Sequence, residues 1–186
     1  MFYLSRLRLN ETRTSIMWMS NSYRIHQRLC MACPDDPRML FRLEQERGLD
    51  LLVQSQNEPS WQAAFSGFHV LDQAPQTKKV NLILQAGQAY RFRLRANPTR
   101  RTQGKRIGLL YEAHQEEWLK RKLADGGAIL RRVETRPQGF QLAFADDNKV
   151  FKHYAVVFQG ILEVVDPKAV TAMVESGVGA AKGYGF

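Results

Sequence analysis

Cysteine is nearly missing from this sequence: among 186 residues only Cys30 and Cys33 occur. Two thiols cannot build the disulfide framework that staples small secreted domains, so a reducing compartment is expected. Nowhere do apolar residues run on for the roughly 20 positions that a membrane-crossing helix requires. The N-terminus sets Arg6 and Arg8 inside an alternating pattern, not ahead of an apolar signal core. A cytoplasmic protein with no membrane partner is the expectation. Acid is the scarcer charge, with 18 Asp and Glu against 27 Lys and Arg, a net charge of +9. The shortage is sharpest over residues 91–106, where Arg91, Arg93, Arg95, Arg100, Arg101, Lys105 and Arg106 stand without one Asp or Glu. Such a run is either a binding patch for a polyanion or a loop held open by self-repulsion.

Apolar residues are plentiful. At 44% hydrophobic, with ten Phe, the chain can bury a sizeable core, and its length suits one domain or two small ones. Residues 90–95 read Y-R-F-R-L-R, which places Tyr90, Phe92 and Leu94 on one face of a strand and Arg91, Arg93 and Arg95 on the other. Side chains two apart on a strand are separated by roughly 7 Å, close to the phosphate spacing of a nucleic-acid strand. A row of three arginines therefore suits an extended polyanion better than a single carboxylate. The competing reading is a solvated edge strand whose arginines pair with nearby acids.

Periodicity organises the rest. Residues 2–9 alternate as a strand, and residues 21–33 show helical spacing, capped by Asn21 or Ser22 and stopped by Pro34. Residues 39–46 and 49–56 are strand-like around Arg47-Gly48, a hairpin signal. A short helix follows Pro59-Ser60-Trp61, and residues 67–71 read as a weak returning strand. A polar, proline-marked stretch over residues 72–79 reads as a linker. The pattern then begins again: a strand over residues 90–97 and a helix over 111–124, with Trp118, Leu119 and Leu123 on its apolar side and Gly126-Gly127 as its stop. Strands over 128–134 and 139–145 flank an Arg136-Pro137 turn, and a long strand over 150–165 is bent at Gly160. Asp166-Pro167 opens a helix over 168–175. The fold class is α+β: tandem ferredoxin-like βαββαβ domains, over 1–75 and 89–186, with a linker over 76–88. Open sheets and a central cleft would offer a platform for RNA.

After the last helix come Gly177, Gly179, Lys182, Gly183 and Gly185. Backbone left bare by glycine can approach phosphates, and Lys182 adds charge. A dinucleotide fingerprint would need a strand before it and a helix after it, and here a helix comes first. A purely structural turn is the other reading.

Four segments in order now carry a resemblance: Ser-Asn-Ser-Tyr23-Arg-Ile-His26-Gln, Arg91-Phe-Arg-Leu-Arg-Ala-Asn-Pro98, Gly160-Ile-Leu-Glu-Val-Val-Asp-Pro167, and Gly177-Val-Gly179-Ala-Ala-Lys182. Together they resemble the CasE (Cse3) endoribonucleases of type I-E CRISPR systems, over nearly the whole chain. The resemblance implies a two-domain ferredoxin-like protein that binds the hairpin of a CRISPR repeat transcript and cleaves at its 3′ base. It also implies that the protein stays with the mature guide RNA among the other subunits of the Cascade complex. Proteins of this family continue past the glycine-rich segment into a final apolar strand, whereas this sequence stops at Phe186.

Tyr23 and His26, three apart near a helix start, share a face, so a phenol and an imidazole can converge on one phosphate. The family carries over both as catalytic. RNA brings its own nucleophile: attack by a 2′-OH needs one proton removed, one delivered to the departing 5′-oxygen, and positive charge around phosphorus. Histidine can make either transfer near neutrality, and tyrosine donates a hydrogen bond that orients the phosphate or sugar. The products would be a 2′,3′-cyclic phosphate and a 5′-hydroxyl, with no metal and no cofactor required. Which of the pair is acid and which is base stays open. A rival reading places His26, Cys30 and Cys33 at i, i+4 and i+7 as zinc ligands, but a structural zinc site wants four, and both thiols suit small buried apolar positions. Arg24 and Arg28 flank the pair and, with Lys149 and Lys152 near the long strand, are further candidates for RNA contact. His69, His114 and His153 read as structural. The alternative function is a non-catalytic RNA-binding subunit of the same fold.

Overall fold

The computed structural model describes residues 1–36, 38–44, 48–144 and 150–185, the side chains of 143 and 144 excepted. The chain divides into two compact units, one of Met1–Asn81 with Ala143–Phe151 and Gly183–Gly185, the other of Leu82–Leu142 with Lys152–Lys182. The first unit therefore runs past residue 75, and the supposed linker over 76–88 is split between the two.

In the first unit the elements are β1 (Phe2–Arg8), α1 (Arg13–Met19), α2 (Ser22–Cys30), β2 (Leu40–Glu44), β3 (Asp50–Ser55), α3 (Trp61–Phe65) and β4 (Gln76–Val80). The sheet order is β2-β3-β1-β4 and every pairing is antiparallel. This is the ferredoxin-like order, with α1 and α2 sharing the place of the first helix. Alternation along β1 sends Ser5 and Leu7 inward, where Leu7 meets Ile25 and Leu29 of α2 together with Leu51, Val53 and Trp61. From the opposite face Arg6 and Arg8 reach Asp50 of β3, at 2.7 Å and 2.6 Å. Burial disfavours the Asp50 charge, but the hydrogen bonds and charges of the two guanidinium groups outweigh it and hold the carboxyl below its ordinary value.

Three expectations for this unit are corrected. Residues 67–71 form no strand: Leu71 makes one isolated bridge to Leu9. The fourth strand is β4, in the stretch read as linker, and its sequence QTKKV is almost wholly exposed. A sheet edge needs backbone pairing more than apolar side chains; Thr77 adds a 2.9 Å bond to the buried Ser5, and the Trp61 indole donates to both hydroxyls. The helix α1 also escaped the pattern reading. Thr12 caps it by accepting from the Ser15 amide, and Ser15 itself is buried.

The second unit carries β5 (Ala89–Ala96), β6 (Thr99–Thr102), β7 (Lys105–Gly108), α4 (Glu112–Asp125), most of β8 (Ala128–Phe144) and β9 (Val150–Val164), and α5 (Pro167–Ser176). Its main sheet is ordered β5-β9-β8, the order of the first three strands of the ferredoxin-like fold, and among the described residues no fourth strand pairs with β5. Trp118, Leu119 and Leu123 of α4 pack on Val156, Phe158 and Leu162 of β9, and Val170 of α5 joins them. Asp166 caps α5 by accepting from the amides of Lys168 and Ala169, with Pro167 at the first helical position.

Here too the structure departs from expectation. Residues 128–144 form one continuous strand, not two around a turn, because β8 lies at a sheet edge where Pro137 can be tolerated without its N–H. Position 145, the last of that reading, lies outside the described residues. Gly160 marks a close approach: a β-carbon there would strike the Arg132 carbonyl of the neighbouring strand. The acid-free segment is not an open loop. Residues 99–108 form the β6–β7 hairpin, turned at Gln103 and Gly104, whose φ values of 49° and 75° suit a type I′ turn.

Candidate active site

The helix α2 is set by its N-cap: the Asn21 carboxamide oxygen accepts from the amides of Tyr23 and Arg24 at 3.1 Å and 3.2 Å. Ile25 and Leu29, one turn apart, bury the inner stripe and fix the rotation of the helix. Tyr23 and His26 then fall half-buried beside that stripe, while Arg24 faces solvent. The imidazole lies 6.4 Å from the Phe41 ring, centre to centre, and the Cys30 sulfur stands 3.7 Å from Nδ1 and 3.9 Å from Nε2. Burial lowers the pKa of His26 below its ordinary value of 6.5, so the ring is neutral near pH 7 and its nitrogens are ready for proton exchange. A neutral imidazole and a phenol on one helical face are the parts of a proton-transfer site.

The three residues of the metal reading lie on or just after the same helix. Cys33 turns into the core and donates to the Asn57 carbonyl at 3.6 Å. Burial first, and the charge of Asp36 second, push both thiols upward. Among the described residues no group of three or more His, Cys, Asp or Glu is placed to hold a metal ion. Arg28 is committed within the unit: it donates to the Ala64 carbonyl at 3.0 Å and lies over the Phe68 ring at 4.4 Å. That use is structural.

In the second unit β5 alternates as its sequence requires. Tyr90, Phe92 and Leu94 pack against the core, Arg91 and Arg93 are exposed, and Arg95 is half-buried with a 2.8 Å bond to the Gln138 side chain. The β6–β7 hairpin exposes Arg100, Arg101, Lys105 and Arg106, and its register sets Arg101 directly opposite Arg106. Like charges facing across a ladder destabilise it. The hairpin thus sets four exposed cations within ten residues. Lys152 is exposed on β9, and Lys149 lies outside the described residues.

In the glycine-rich segment, Gly177, Gly179 and Lys182 make contacts within the second unit. Lys182 donates to the Ser176 carbonyl at 2.7 Å and so closes the C-terminal end of α5. Gly177 follows that helix with φ 72°, and Gly179 leaves room for the Trp118 ring, which a β-carbon would approach to 2.9 Å. These contacts account for Gly177, Gly179 and Lys182 without a ligand. Of the other histidines, His153 pairs with Asn97 at 3.0 Å and His114 meets Tyr111 edge to face. Spacing set Cys30 beside His26 one turn along the helix, but sequence reasoning missed Phe41 and Gly183, because nothing in spacing joins residues so far apart along the chain.

Comparison with known proteins places this geometry. A family model described as "CRISPR associated protein" matches residues 2–186. The chain is 36% identical to the CRISPR-associated endoribonuclease Cse3 of Thermus thermophilus, over 99% of this chain and 96% of that one. It is 32% identical to the Cascade subunit CasE of Escherichia coli, over 90% of each. A solved structure of Thermus thermophilus Cse3 bound to an RNA representing a pre-cleavage complex superposes with a TM-score of 0.84 at 31% identity, covering 100% of this chain and 96% of that one. With its ferredoxin-like order, its Tyr23–His26 face and these matches end to end, the chain belongs to the CRISPR-associated protein family that includes Cse3 and CasE.

Proposed function

We propose that this protein is a metal-independent endoribonuclease. It binds the hairpin of a CRISPR repeat transcript, cuts precursor RNA at the 3′ base of that hairpin, and stays with the mature guide RNA among the subunits of Cascade. The observation that carries the reading is His26, a half-buried imidazole held neutral by its surroundings on the same helical face as Tyr23. In the reaction the 2′-OH loses its proton as its oxygen bonds to phosphorus. The bond to the 5′-oxygen breaks, and that oxygen takes up a proton, leaving a 2′,3′-cyclic phosphate and a 5′-hydroxyl. His26 makes one of these proton transfers, and Tyr23 orients the phosphate or shares the proton work. Arg91, Arg93 and the arginines of the β6–β7 hairpin hold the RNA backbone by charge.

The test is incubation of the repeat hairpin in EDTA with the wild type and with His26→Ala. The wild type should cut, and the variant should lose about 10²–10⁴-fold in rate, the usual contribution of a general acid or base, while still binding. A 2′-deoxy substitution at the cut site should block cutting and spare affinity. Intact RNA with the wild type would assign the chain to the non-catalytic RNA-binding alternative.

A further inference from the structure

Residues 183–185 and 143–151 belong to the same compact unit as α2, although both lie far from it in sequence. A β-carbon on Gly183 would stand 3.6 Å from Cδ2 and Nε2 of His26, so the backbone there runs along the imidazole edge. One on Gly185, whose φ is 87°, would stand 3.1 Å from the Phe41 ring, itself the aromatic neighbour of His26. Tyr184 is held between these two contacts. Its ring lies 6.4 Å from that of Phe151 at 43°. Phe151 is 41% exposed, and Val150 beside it is 51% exposed. An aromatic pair with one ring open to solvent is thus carried by the residue next to Gly183, the backbone that meets the imidazole. An exposed phenylalanine gains nothing from water.

We propose that Phe151 and Tyr184 form a stacking surface for a nucleobase adjoining the phosphate at His26. The inference rests on the RNA-cleaving reading and deepens it. In-line attack requires the nucleotide that carries the 2′-OH to be fixed relative to the scissile phosphate, and phosphate contacts alone leave rotation about the backbone free. A nucleobase laid on an aromatic face removes that freedom, and every base has a π-face to offer.

The test is single-turnover cleavage, at saturating protein, of a repeat hairpin in which the nucleotides flanking the cut are made abasic one at a time. On the wild type, one abasic position should slow cutting about tenfold, in line with base–aromatic stacking. Phe151→Ala and Tyr184→Ala should show a similar loss on intact RNA and little further loss on the abasic one. Phe151→Tyr and Tyr184→Phe, which keep a ring, should retain the wild-type profile. The alanine variants remaining as sensitive as wild type at every position would overturn the proposal. In the same position 2-aminopurine should be quenched on binding to wild type and to His26→Ala, and should stay bright with the alanine variants. That readout needs no cleavage, so it separates a failure of stacking from a failure of the catalytic reading. Should an alanine variant not fold, Phe151→Leu and Tyr184→Leu keep apolar bulk without the ring face. Quenching as strong with these as with wild type would equally overturn the proposal.

Discussion

At the scale of single residues, charge state decides what each side chain can do. Burial leaves His26 neutral at neutrality, the form that accepts a proton, and moves its titration below 6.5. If His26 removes the 2′-OH proton, the single-turnover rate is therefore expected to rise with pH through a midpoint below that value. A rate that falls through the same range would assign His26 to protonating the 5′-oxygen. Asp50 behaves oppositely, because its folded pKa is depressed by Arg6 and Arg8. Its contribution to stability is present in full above the unfolded pKa and is lost as pH falls through the folded one. Asp50→Asn should cost about 1–3 kcal/mol near neutrality, the scale for a buried charged hydrogen bond, with the difference from wild type shrinking in acid. Urea denaturation at the two pH extremes measures it. The shared face of Tyr23 and His26 was legible because spacing is a property of one helix. The contacts of Arg28 and Lys182 were not, since their partners, Ala64 with Phe68 and Ser176, are chosen by tertiary packing and backbone geometry.

At the scale of elements, the basic hairpin and the crowded strand pair make predictions of different sign. Arg101 faces Arg106 across β6–β7. Arg101→Ala should leave the protein at least as stable as wild type, and at the same time weaken RNA binding and reduce the slope of log affinity against log salt by about one. Thermal melting and a salt titration of binding test the two halves, and an unchanged slope would return Arg101 to a solvated role. Gly160→Ala should act on stability alone, costing about 1–3 kcal/mol through overpacking, because its β-carbon would strike the Arg132 carbonyl. Apolar periodicity made β1, β5 and α4 legible, and the Asp166-Pro167 cap did so for α5. It failed at β4, which is polar because it lies at an edge, and at β8, where Pro137 imitates a turn. Such local signals mislead where the backbone ladder, not the side chains, carries the element.

At the scale of the whole molecule, the βαββαβ order could be read before the individual strands could. Chain order survives an error in one strand: the first sheet has the expected arrangement although its fourth strand comes later than read. Charge works at this scale too, since an excess of +9 draws any polyanion and makes RNA binding depend on salt throughout. The same excess would do little to keep copies apart if several met on one polyanion, whose charges would neutralise it. Pro137 then matters for another reason. It lies within the outer strand of the second sheet and has no amide hydrogen to offer, so a neighbouring copy meets a gap in the backbone template there. A proline there takes one donor away from an edge that another strand could otherwise extend.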